Sequence, residues 1–394
     1  MREWFENLPD RRGSGSYKWD STDLEDVIPL WVADMDFRTA PVIVDALRRR
    51  VDHGVFGYVK VPDRYYEVLE EWMSRRHGLR FNREEVIYTS GVVPAISATI
   101  KALSDAEHDG VVVQTPVYNC FFSSIRNNRC RIVESPLLRK DVGEGKFTYE
   151  IDFEDLERKL SDPRNSLLLL CNPHNPAGRC WSREELARMG EICKKHNVTV
   201  ISDEIHCELV MPGYTFTPFA VASDAPCVTL NSPSKAFNTA GLQIANIITP
   251  DAGRRARIDR AINDNEVCDV NPFGVAGLIA AYTGGEPWLA ELIDYLHDNY
   301  EYLCRTLREQ LPWCKVTELE ATYLPWVDVR SLGMESEKIE EYLVENHRVW
   351  INAGEMYGKD GYIRINIATS RAMLAEGLRR MIAGLRECLN LNQI

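Results

Sequence analysis

Between residues 85 and 250, short runs rich in leucine and β-branched residues alternate with amphipathic helical patterns. This alternation narrows the fold more than any other feature of the chain. The clearest runs are Val111 to Gln114, Leu167 to Cys171, Val198 to Ser202 and Val228 to Leu230. Short apolar runs bounded by turn-forming residues suit strands buried on both faces, as inside a parallel sheet. The stretch Ser182 to His196 has helical periodicity, and its Ser182-x-x-Glu185 opening reads as a capping box. The chain is therefore expected to be α/β, with a large domain whose mainly parallel central sheet is flanked by helices. Such sheets bind ligands at the carboxyl ends of their strands.

At 394 residues the chain is too long for one small core, so two domains are expected. A long helical pattern from Pro287 to Gln310 reads as a bridge between them. Beyond it come a strand-like Thr322 to Val329, a helix Glu335 to Asn346, a strand Tyr362 to Ala368 and a last helix Ala372 to Leu389. Residues 45–286 are assigned to the large domain. A smaller α+β domain takes 1–44 and 287–394.

A net charge of −13 argues against nucleic-acid phosphates or anionic membranes as partners. The N-terminal residues lack the apolar core of a signal peptide, and the most apolar stretches, such as Val275 to Tyr282, are too short to cross a bilayer. Eleven cysteines show neither a CxxC pair nor metal-ligand spacing, as expected of reduced thiols in the cytoplasm. No metal is expected.

Lys235 stands just after the run Cys227 to Leu230, among Ser232, Ser234 and Asn238. A lysine at a strand end, among groups able to hold a phosphate, suits a Schiff base with pyridoxal 5′-phosphate (PLP). A lone lysine is usually a solvated surface charge, so its partners decide. Val86 to Thr89 leads through Ser90 and Gly91 into a helix whose free N–H groups would seat an anion. Asn172-Pro173-His174-Asn175-Pro176 follows another strand and could aim the Asn175 amide into a site; a purely structural loop is as good a reading. Asp203 ends the run Val198 to Ser202, where a helix cap is the ordinary assignment. Opposite a pyridine nitrogen it would instead keep the ring protonated. His206, three residues on, could reach the same ring. Arg364 lies in the apolar Tyr362-Ile363-Arg364-Ile365 and needs an anion, either an internal acid or a substrate carboxylate.

Taken together, Ser90-Gly91-Val92-Val93, Asn172 to Arg179, Ser202-Asp203-Glu204-Ile205-His206 and Ser232 to Asn238 resemble fold-type I PLP enzymes, the aspartate aminotransferase superfamily. Leu30 to Phe37, Phe56-Gly57-Tyr58 and Thr322 to Trp326 resemble its MalY/PatB branch of cystathionine β-lyases, or C–S lyases. The resemblance covers nearly the whole chain. It implies that Lys235 carries PLP and moves the Cα proton, that Asp203 pairs with the ring nitrogen and Asn175 with the ring oxygen, and that Tyr118 stacks on the ring. It gives the phosphate to Gly91, Val92, Val93 and Ser232, the substrate carboxylate to Arg364, and a role in a homodimer's shared site to Tyr58. The implied reaction is α,β-elimination of cystathionine, cysteine or a related substrate to pyruvate, ammonia and a thiol. An aminotransferase, or a regulatory protein on the same fold, is the alternative. Gln243 stands where many relatives place a phosphate-binding arginine, which leaves open how the dianion is neutralised.

Overall fold

The computed structural model describes residues 2–104, 109–267 and 269–391. Among them, seven strands form the large sheet, in spatial order Val86–Thr89, Ala245–Ile248, Cys227–Asn231, Thr199–Asp203, Asn165–Cys171, Gly110–Val113 and Arg131–Glu134. Every neighbouring pair is parallel except the two made by Ala245–Ile248. The four strands read from the sequence are all present, with ends shifted by at most two residues.

Side-chain alternation explains why the sheet is covered twice. Leu167 and Leu169 face one core with Ile96, Ile100 and Ile258, whereas Leu168 and Leu170 face another with Leu186, Met189 and Ile192. The second group belongs to the helix Arg183–Lys195, which starts as the sequence implies. The Ser182 hydroxyl accepts from the Glu185 N–H at 3.1 Å, and the Glu185 carboxylate accepts from the Ser182 N–H at 2.8 Å.

A second sheet has six strands among the described residues, in the order Asn352–Ala353, Tyr362–Arg364, Trp326–Asp328, Lys315–Thr317, Lys146–Glu150 and Leu138–Gly143. Its last two strands form a hairpin from the middle of the chain, and Lys146–Glu150 pairs in parallel with Lys315–Thr317. This sheet therefore draws on residues from both sides of position 286. The helix Glu286–Gln310 crosses there and buries Leu292, Leu296, Leu303 and Leu307.

Two late strands are shorter than their patterns suggest. Thr322 has φ +75°, which interrupts the strand before Trp326. Beyond Arg364 the chain stays extended but bonds to irregular neighbours: Asn366 N–H donates to Leu30 O at 2.8 Å and Ile367 N–H to Tyr323 O at 3.1 Å. Among the described residues every cysteine is free, and no helix is long and apolar enough to cross a membrane.

Candidate active site

Adjacent strand ends of the large sheet open onto one cavity of about 230 Å³. Register brings the ends together. Cys171 is opposite Asp203 and Asp203 opposite Leu230, so the segments that follow these strands emerge side by side. From them Asn175, Asp203, His206 and Lys235 all line the cavity, as do Gly91, Val92, Val93 and Tyr118.

The Lys235 ε-amine donates to Ala33 O at 2.7 Å. Burial and the nearby Arg364 charge lower its pKa to about 8, although Asp34 and Asp203 pull the other way. Asp203 accepts from the Ile205 N–H at 3.1 Å, a tight turn that uses one carboxylate oxygen locally. Burial pushes its pKa up to about 7 against the opposing effects of that N–H and of Lys235. His206 is buried beside the same charges, which lowers its pKa well below the usual histidine range, and its Nδ1 has no partner. The ring is therefore neutral near pH 7.

Gly91 precedes the helix Val92–Leu103. The first intrahelical bond is Ala95 N–H to Gly91 O, and Pro94 has no N–H, so Val92 and Val93 present free donors at the cavity. Ser90 and Ser234 join that wall, and Gln243 reaches it from a left-handed backbone position, φ +51°.

Ser232 does not line the cavity. Its buried hydroxyl donates to Ile244 O at 2.7 Å and accepts from the Ser234 N–H at 3.1 Å, so it shapes the turn while Ser234 takes the wall. Tyr58 is likewise not brought in by its own chain. It is 97% exposed in an irregular segment with exposed Val55 and Phe56.

Arg364 is buried, with its guanidinium over the Tyr357 ring at 4.8 Å. Nη2 donates to Trp31 O at 2.9 Å, Nη1 donates to Asn175 Oδ1 at 3.2 Å, and Nε has no partner. No ion pair of Arg364 with an acid is found among the described residues. A buried cation without a counter-ion is costly, so the arrangement suits an arriving carboxylate. Because Asn175 Oδ1 is occupied by Arg364, the amide NH₂ is the group left to donate.

These groups fit a flat aldehyde cofactor with a phosphate tail. The amine is partly deprotonated near neutral pH, a buried acid and a neutral imidazole flank it, and free N–H groups lie on the same wall. A model of the aminotransferase class I and II family matches residues 25–381. The chain belongs to that family.

Within the family, several of the similar proteins are named as lyases. The chain is 42% identical over 390 residues to cystathionine beta-lyase PatB of Bacillus subtilis (strain 168), covering 97% of this chain and 99% of that one. It is 32% identical to protein MalY of Escherichia coli (strain K12), covering 97% and 98%. Among solved structures, the PLP-bound C-S lyase from Staphylococcus hominis superimposes with a TM-score of 0.89 at 35% identity, covering 97% and 99%. Cystalysin from Treponema denticola, which contains PLP, gives 0.92 at 32% identity, covering 97% and 98%.

Sequence reasoning left Ala33, Ser90 and Ser234 without roles at this cavity. Ser234 stands in the lysine motif but has the same side chain as Ser232, so only the turn geometry singles it out. Ala33 contributes only a backbone carbonyl, which no residue pattern reveals.

Proposed function

We propose that this protein is a PLP-dependent C–S β-lyase acting on cystathionine, cysteine or related S-substituted L-cysteines. The products are pyruvate, ammonia and a thiol, and one water is consumed. The observation that carries the reading is Lys235 and Asp203 lining one cavity, with the acid-free Arg364 behind its wall and bonded to the lining residue Asn175, in a chain 42% identical to a cystathionine β-lyase over nearly its full length.

In this reading Arg364 grips the substrate carboxylate with a planar, two-bond contact. Lys235 holds the cofactor aldehyde and then, as a free amine, removes the Cα proton. When bound, PLP supplies the electron sink for that pair. Asp203 would pair with the ring nitrogen, where a negative charge favours the protonated ring, and Asn175 would donate to the ring oxygen. Tyr118 covers the ring face. Val92 and Val93 amides with Ser90 and Ser234 hold the phosphate, so backbone dipoles and hydroxyls do the work that an arginine at Gln243 would do. Tyr58, exposed beside Val55 and Phe56, completes the site of a second copy in a homodimer. The division into residues 45–286 and the two flanking segments, and a cytoplasmic location, belong to the same proposal.

The test is to incubate PLP-loaded protein with L-cystathionine and with L-cysteine, without a keto acid, and to assay pyruvate and thiol. Release of both supports the lyase. Turnover that requires an added keto acid would make it an aminotransferase, and cofactor binding without any turnover would favour a regulatory role.

A further inference from the structure

Residues 31–37 form an irregular strap that meets the cavity at Ala33, and side chains from distant parts of the chain hold its carbonyls. Trp31 O accepts from Arg364 and Asn352, each at 2.9 Å, and Asp34 O accepts from Asn366 at 2.6 Å. Met35 O and Phe37 O both accept from Asn238 at 2.9 Å. The strap is not part of a strand, so its course depends on these donors.

At the middle of the strap, Ala33 O accepts from two side chains: Lys235 Nζ at 2.7 Å and the Tyr323 hydroxyl at 2.9 Å. A carbonyl has two lone pairs, so the two donors share it without competing for one direction. Tyr323 is itself fully buried, and its ring meets that of His206 edge-on at 6.2 Å between centroids.

The backbone before Tyr323 supplies a separate observation. Thr322 is β-branched and buried, yet it holds φ +75°, a region that such residues avoid. Its N–H donates to Leu209 O at 2.7 Å, and its hydroxyl accepts from the Leu324 N–H at 3.2 Å. Strain of this kind persists where the surroundings over-determine a position, and here it stands one residue before the tyrosine.

We propose that Tyr323 is a positioning residue for Lys235, pinning the Ala33 carbonyl so that it forms a fixed seat for the lysine amine whenever that amine is not joined to the cofactor. The inference rests on the lyase reading for its catalytic consequence. When the substrate's amino group takes the lysine's place, the freed base has one seat to occupy instead of many rotamers. A displaced base loses rate far more than binding, because proton transfer depends on sub-ångström placement.

The experiment uses Tyr323→Phe, which removes the hydroxyl and keeps the ring against His206. Four quantities are read: kcat and KM with PLP loaded, Tm, and the Lys235 position in a crystal structure of the cofactor-free variant. The proposal expects kcat to fall by about ten- to a hundredfold with KM changed less than about threefold. It also expects Lys235 Nζ to leave Ala33 O or to occupy several rotamers. A kcat equal to that of the parent, or a lysine still at its present distance, would overturn it. So would a lower Tm with normal kcat per folded molecule. Should that variant fold poorly, Thr322→Gly relaxes the strained turn and keeps the hydroxyl. Unchanged or raised Tm with reduced kcat then supports the seat, and unchanged kcat overturns it. Pyruvate release by the parent protein tests the lyase reading separately, so either idea can fail alone.

Discussion

Arg364 and Asn175 fix each other: the guanidinium donates to the amide oxygen at 3.2 Å, which leaves the NH₂ of this cavity-lining amide to donate elsewhere. Replacing the planar fork with a point charge should disturb both sides of this contact. Arg364→Lys is expected to raise KM and lower kcat/KM by about one to two powers of ten, the loss of a charge-assisted hydrogen bond. Steady-state kinetics with L-cystathionine would show it. A large loss of Tm with normal kinetics would instead make Arg364 a structural residue.

Cofactor capture should follow the titration of Lys235. Its pKa is lowered to about 8 from the usual 10.5, so the nucleophilic amine forms as pH rises through about 8. The rate of PLP uptake by cofactor-free protein should climb across that interval. Between about 8 and 10.5 the unfolded chain holds a proton that the folded chain has lost, so stability should rise with pH there. Lys235→Met should abolish both trends. Uptake that climbs only near pH 10 would contradict the placement.

Asp203 is predicted to act on the chemical step. Asp203→Ala should lower kcat by about 10²–10³, as for loss of one electrostatic partner of developing charge, with a smaller effect on KM. An unchanged turnover number with PLP still bound would reduce this residue to the turn it makes with Ile205.

The shared site can be tested with two inactive proteins. Tyr58→Phe and Lys235→Ala, mixed under conditions where subunits exchange, should regain partial activity through hybrid dimers. No recovery despite demonstrated exchange would remove Tyr58 from the partner's site.

Stability should depend on the buried ion pair that anchors the strap. Lys18 is buried with its ammonium 3.1 Å from Asp36, and Arg11 reaches the same carboxylate at 2.9 Å. Asp36→Ala leaves Arg11 on Asp34, 2.6 Å away, but takes the nearest carboxylate from the buried Lys18 and should cost roughly 3–5 kcal/mol, measured by urea unfolding of cofactor-free protein. A cost below about 1 kcal/mol would mean that Asp34, 3.8 Å from Lys18, takes over the pairing.

The large sheet was legible because Leu167 to Cys171 and its neighbours are buried on both faces, so composition alone marks them as strands. Asp203 and Lys235 were legible for a related reason, since the carboxyl end of a strand is a predictable place. The hairpin 138–150 joining the second sheet was not, because its pairing with Lys315–Thr317 is a long-range event without a local signature. The Thr322 backbone was hidden too, since its tertiary setting holds it against its own propensity. Ser232 and Ser234 could not be told apart by type. Only the turn geometry shows which hydroxyl is spent on Ile244.

The strap also bears on the order in which the molecule can be assembled. Residues 28–37 leave the ribosome early, but Ile28–Pro29 pairs with Val349–Trp350, and the Val32 and Asp34 carbonyls bond to Asn366. Until Tyr323 and Asn366 have been made, only the bonds of Asn238 to Met35 and Phe37 tie the strap near Lys235, and the Ala33 carbonyl lacks the hydroxyl that shares it. The large sheet can form before residue 366 has been made, whereas the lysine's seat is completed only after it, so competence to take up cofactor should appear late in folding.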